Sequence, residues 1–83
     1  MMADAMNAEV KQLMELASRG TPSAQRDLAE RFYYGRGVER SIAEAIAWLL
    51  LAATNGDDQA KHLLRLLCKR GILKIPVPRK ALI

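Results

Sequence analysis

The sequence predicts an all-α protein: a right-handed stack of about four antiparallel helices followed by an extended C-terminal tail. Three observations carry this. A shift of 36 residues lays Ala17, Gly20, Ala24, Leu28 and Gly35 onto Ala53, Gly56, Ala60, Leu64 and Gly71. Such a fixed spacing of small and apolar residues marks helical-repeat proteins, whose units bury a face against their neighbours. Within each unit the apolar residues recur at helical spacing, and a glycine closes each run. Outside the tail, nothing alternates with a period of two over a useful length.

The first helix is expected from about Asp4 to Ser18, with Val10, Leu13, Met14 and Ala17 on one face and Gly20 as the stop. Thr21-Pro22 opens the second, Thr as N-cap and Pro in the first turn. It runs to about Tyr34 with Ala24, Leu28 and Phe32 four apart, until Gly35-Arg36-Gly37 supplies the left-handed conformations of a tight turn. Ser41-Ile42-Ala43-Glu44 fits a capping box and opens the third helix, which ends at Gly56. Asp57 caps the fourth, which runs to Arg70 and stops at Gly71. The chain thus divides into a helical domain, 1–71, and a tail, 72–83. Pro76 and Pro78 forbid a regular helix in the tail. Its apolar residues (Ile72, Leu73, Ile75, Val77, Ala81, Leu82 and Ile83) make it a candidate cap or docking segment.

Eighty-three residues make one small domain near the lower limit for a self-sufficient core. A single cysteine, Cys68, excludes an intrachain disulfide and suits a reducing compartment. The N-terminus lacks the basic region and apolar core of a secretory signal. The longest apolar stretch, 45–53, falls short of the ~20 residues that span a bilayer. A cytoplasmic location is expected. The net charge of +4 is unevenly spread: residues 1–60 carry a balance of −3, and residues 61–83, which contain no acid, +7. That asymmetry points to an anionic partner or a basic tail.

No enzyme signal is present. His62 and Cys68 alone are too few for a zinc site, and they fall on different faces of one helix, so no nucleophilic pair forms. Cys68 reads as a small core residue. Gly35-Arg36-Gly37-Val38 lacks the third glycine and the preceding strand of a dinucleotide site. Asp57-Asp58 reads as a helix start, not a metal pair. No cofactor and no metal are expected.

Ala24-Gln25, Leu28, Phe32, Gly35-x-Gly37-Val38, Ala45, Trp48, Ala52-Ala53 and Gly56 together resemble the Sel1-like repeat, a relative of the tetratricopeptide repeat. One complete repeat spans roughly 24–56, flanked by two half-repeats. Ala29, Phe32 and Ser41 depart mildly from the pattern, standing where the family usually has Gly, Tyr and often Asp. The resemblance implies a non-enzymatic adaptor that presents a groove to other proteins, and it implies structural roles for Gly35, Gly37 and Trp48. On that geometry Arg26, Glu30 and Tyr33 of the second helix would line the groove. The stripe Lys61, Arg65 and Lys69 with His62, continued by Lys74, Arg79 and Lys80, would form a positive wall, suited to an acidic protein segment or to phosphates.

Two departures from a generic repeat mark further surfaces. Leu63, Leu66 and Leu67 stand 36 residues after Asp27, Glu30 and Arg31, so the last helix has gained leucines where the second is polar. These leucines are expected to need cover from the tail or from a second chain. The third helix carries Ala43, Ala47, Leu50 and Leu51 opposite its core face, which predicts an apolar interface, most simply a homodimer. The alternative class is a small basic nucleic-acid-binding regulator, favoured by the basic last quarter. Against it stand the scarcity of aromatic residues and a helix spacing better suited to repeat stacking.

Overall fold

The computed structural model describes residues 6–72. Within them lie four helices, α1 (Ala8–Ser18), α2 (Pro22–Tyr34), α3 (Ile42–Thr54) and α4 (Asp58–Lys69), and no strand. The 36-residue period extends to the backbone. Shifting the bounds of α1 and α2 by that amount reproduces those of α3 and α4 to within two residues at each end. Gly20 and Gly56 close the first and third helices with φ of 96° and 100°. Their hydrogen bonds match as well, from Thr21 N to Leu16 O and from Asp57 N to Ala52 O. After α2 and α4, Gly35 and Gly71 take φ of 72° and 74°, and the next amides, Arg36 N and Ile72 N, return to Arg31 O and Leu67 O. This is the left-handed glycine stop that satisfies the last carbonyls of a helix.

The helix starts differ from expectation at two points. α1 begins after Asn7, whose side chain accepts from Val10 N at 2.9 Å, so the first turn is set later than the expected start at Asp4. Thr21 occupies the N-cap of α2 but makes no side-chain cap bond; Pro22, with fixed φ and no N–H, opens the helix by itself. Ser41 and Asp57 cap α3 and α4 as expected, accepting from Glu44 N and Ala60 N. The Gly35-x-Gly37-Val38 turn does more than reverse the chain. Asn7 N donates to Gly37 O at 2.8 Å, and a Cβ on Gly37 would come within 2.5 Å of the Asn7 side chain. Gly37 therefore lets the start of α1 dock on the turn, while Val38 enters the core.

Helices in sequence pack on one another, α2 most extensively on α3. Two apolar clusters result. One gathers Val10, Ala17, Leu28, Phe32 and Val38 around α1 and α2. The other gathers Ala29, Leu49, Ala52, Ala53 and Leu64 between α2, α3 and α4. Trp48 is half-buried and packs against both, joining them into one core. The alanines at the α2–α3 and α3–α4 seams allow close helix approach, which is why they recur with the period.

Cys68 is a correction to the expected core: it is exposed. Its period mate Phe32 is buried because Val38 and Ala45 close over it. Cys68 lies on the side of α4 where the described residues supply no equivalent helix. The expected cap or docking segment falls on residues 72–83, which apart from Ile72 lie outside the described residues.

Candidate functional site

Residues on the shared side of α2 and α4 build a groove. Its floor is Ala29, Tyr33, Leu63, Leu66 and Leu67, around a hollow of about 120 Å³. Toward the start of α4 it opens into a hollow of about 370 Å³, edged by Asp58, Gln59 and His62. On the other side, above α1 and α2, lies a hollow of about 570 Å³ with Glu9, Gln12, Leu13 and Leu16 along one wall. Glu30 lines all three.

The leucines are placed here by α2 and α3. Leu63 and Leu67 pack against the cluster of Ala29, Leu49, Ala52, Ala53 and Leu64, and Leu63, Leu66 and Leu67 are all half-buried. In α2 the period mates Asp27, Glu30 and Arg31 have no earlier helix of their kind beside them, so they stay polar. The sequence alone could not show this, because a helical wheel records a helix and not its neighbour. Groove and leucine patch, expected as separate surfaces, are one surface.

The remaining groove candidates distribute unevenly. Arg26 is engaged in holding the fold: its guanidinium donates to Gln59 Oε1 at 2.6 Å and sits 3.5 Å from Asp57 Oδ2, with the two ionic side chains 17% and 14% exposed. It clamps α2 to the turn before α4. Lys61 is half-buried and pairs with Asp58 at 3.8 Å. His62 edges the groove, whereas Arg65 and Lys69 are exposed on α4 and do not line these hollows. On α3, Ala47 and Leu51 are exposed, Leu51 at 43%, while Leu50 is half-buried against the second cluster.

Sequence reasoning missed an aromatic and cationic rim. Tyr33 and Tyr34 meet edge to face, with centroids 5.0 Å apart. The Arg36 guanidinium lies 4.8 Å from the Tyr34 ring centroid. Arg40 donates to Tyr33 O at 2.9 Å, with its guanidinium 6.0 Å from the Tyr33 ring centroid. Arg31 pairs with Glu9 at 3.0 Å, tying α2 to α1. Glu30, by contrast, makes no hydrogen bond or ion pair among the described residues. The adjacent tyrosines with nearby arginines were the only hint in the sequence, since the pairing depends on how the turn folds back.

An apolar floor and a charged rim surround the groove. Among the described residues no group of three or more His, Cys, Asp and Glu side chains is disposed to hold a metal. No helix among them is long and apolar enough to cross a membrane.

Residues 22–57 match the family model of the Sel1 repeat. The match begins at the first residue of α2 and ends at the N-cap of α4, so it covers one helix pair, α2 and α3. No curated protein and no solved structure matches the chain. Residues 22–57 are thus similar to a Sel1 repeat, a unit that in general mediates protein–protein interaction.

Proposed function

We propose that this chain is a non-enzymatic protein-interaction module, a small adaptor or regulator, and that its docking surface is the groove between α2 and α4. The observation that carries the reading is the meeting, on one face, of the leucine floor with Tyr33 and with Glu30, which has no partner among the described residues. Half-buried apolar side chains bordered by polar ones are what protein interfaces are built from. A second apolar strip, Ala43, Ala47 and Leu51 on the outer side of α3, supports self-association as a separate contact. Because Leu50 faces inward, Leu51→Glu is the variant that tests it.

Affinity capture from the source cell, using the full chain and two variants, tests the reading. Leu66→Glu is expected to abolish capture of a protein partner while leaving the helical circular dichroism intact. Leu51→Glu is expected to retain capture and to reduce any dimer seen by light scattering. Equal capture by the Leu66→Glu chain would remove the groove as the docking surface. Retention on DNA or RNA with a steep salt dependence would move the chain to the nucleic-acid class instead.

A further inference from the structure

The basic stripe on α4 suggests an acidic partner, but the geometry of the groove points to the opposite charge. We infer that the groove takes a basic, apolar segment of a partner protein, with a lysine or arginine set against Glu30; this rests on the groove being the docking surface proposed above.

Three observations lead there. First, the arginines of α2 and of the turn that follows it are already committed. Arg26 is held by Asp57 and Gln59, Arg31 by Glu9, and Arg36 and Arg40 lie against the tyrosine rings. Second, Glu30 is exposed, has no partner among the described residues and borders all three hollows. Asp58, exposed at the start of α4 and paired with Lys61 at 3.8 Å, adds a second carboxylate along the same wall. Third, the carboxylates sit beside Leu63, so an incoming side chain meets apolar surface and negative charge together. A long aliphatic stem ending in a cation satisfies both at once.

Arg70 lines the opposite end of the leucine floor, beside Tyr34. The 12 residues of α4 put about 18 Å between its ends. The groove is thus acidic toward the N-terminus of α4 and cationic toward its C-terminus. That polarity orients the partner, basic residue first against Glu30 and Asp58, apolar residues across the leucines.

The test uses two synthetic amphipathic peptides with identical leucines, one carrying lysines and the other glutamates at the polar positions. Binding to the full chain is read by fluorescence anisotropy at physiological salt. The lysine peptide is expected to bind at least tenfold tighter than the glutamate peptide. Glu30→Gln should weaken the lysine peptide several-fold, and Glu30→Lys should reverse the preference. Leu66→Glu should abolish binding of both. Tighter binding of the glutamate peptide, lost in Leu66→Glu, would overturn the charge assignment and leave the groove standing as the docking surface. An unchanged preference in Glu30→Lys would also overturn it. Binding of neither peptide, both to the full chain and to the variant with Lys74, Arg79 and Lys80 changed to Ser, or binding indifferent to Leu66→Glu, would overturn the groove reading itself. Lysine-peptide binding that emerges only when Lys74, Arg79 and Lys80 are changed to Ser would assign the groove to the chain's own C-terminal segment and overturn a partner as the occupant.

Discussion

The seam between α2 and α3 and the outer faces of α1 and α4 occupy equivalent positions of one 36-residue period, yet they are finished in opposite ways. At the seam, α3 presents Ala45, Trp48, Leu49 and Ala52; at the outer face of α1 the same positions are Glu9, Gln12, Leu13 and Leu16, which line an open hollow. The α2 side of the seam is Gln25, Ala29 and Phe32, all buried; on α4 these become Lys61, Arg65 and Cys68. Small residues are needed only where a helix backbone must come close. At the ends of a stack a charge is tolerated, and it also refuses a further helix.

The substitutions make the ends incompatible with simple continuation by a second copy. At the interior seam Asn55 Nδ2 donates to Gln25 Oε1 at 3.1 Å, and Gln25 Nε2 donates to Ala17 O at 3.0 Å. Continued in register, the Asn55–Gln25 bond would become Arg19 against Lys61, two cations. Among the described residues both ends thus disfavour continuation by a second copy in register, which supports the side groove as the proposed docking surface.

Grafting the chemistry of an end onto the seam should break the fold. Ala45→Glu copies Glu9 into a site with no solvent access. It is expected to cost more than about 4 kcal/mol, close to the whole stability of so small a domain, and thermal melts should show an unfolded chain. The reciprocal Glu9→Ala removes only the pair with Arg31 and should cost under about 1 kcal/mol. If both melt alike, seam and end do not differ as described. Next in size, Gln25→Ala removes the buried bond to the Ala17 carbonyl, which keeps only its bond from Gly20 N, and leaves Asn55 Nδ2 without its partner; it should cost about 1–3 kcal/mol in urea unfolding, whereas Lys61→Ala should change stability by no more than about 0.5 kcal/mol. Asp57→Ala removes the α4 cap and the partner of Arg26, for about 1–2 kcal/mol. The smallest effect is Leu51→Glu, which should leave the monomer's melting unchanged within about 0.5 kcal/mol, since that side chain faces solvent.

The period, the four helices and most of the buried residues were legible because each follows from local rules: spacing of apolar residues, cap residues, and glycines at helix ends. What escaped depends on contacts between distant segments. Arg26 reads as a groove residue until Asp57 and Gln59 are found beside it, 31 and 33 residues on. Leu63 and Leu67 read as uncovered until α2 and α3 are seen against them. Cys68 reads as core because its wheel position is Phe32's, and only the missing neighbour decides otherwise. Glu30 and Tyr33 are visible as groove residues in the sequence, yet that Glu30 stands without a cation among the described residues emerges only once the partners of Arg26, Arg31, Arg36 and Arg40 are known.

The proposed docking surface is the groove and not the ends of the stack. Photo-crosslinking from three positions in the source cell tests this most directly: Tyr33 in the groove, Gln12 on the outer face of α1, and Lys69 on the outer side of α4. A protein adduct from Tyr33, with none from Gln12 or Lys69, is the predicted result. Adducts from Gln12 or Lys69 with none from Tyr33 would contradict it.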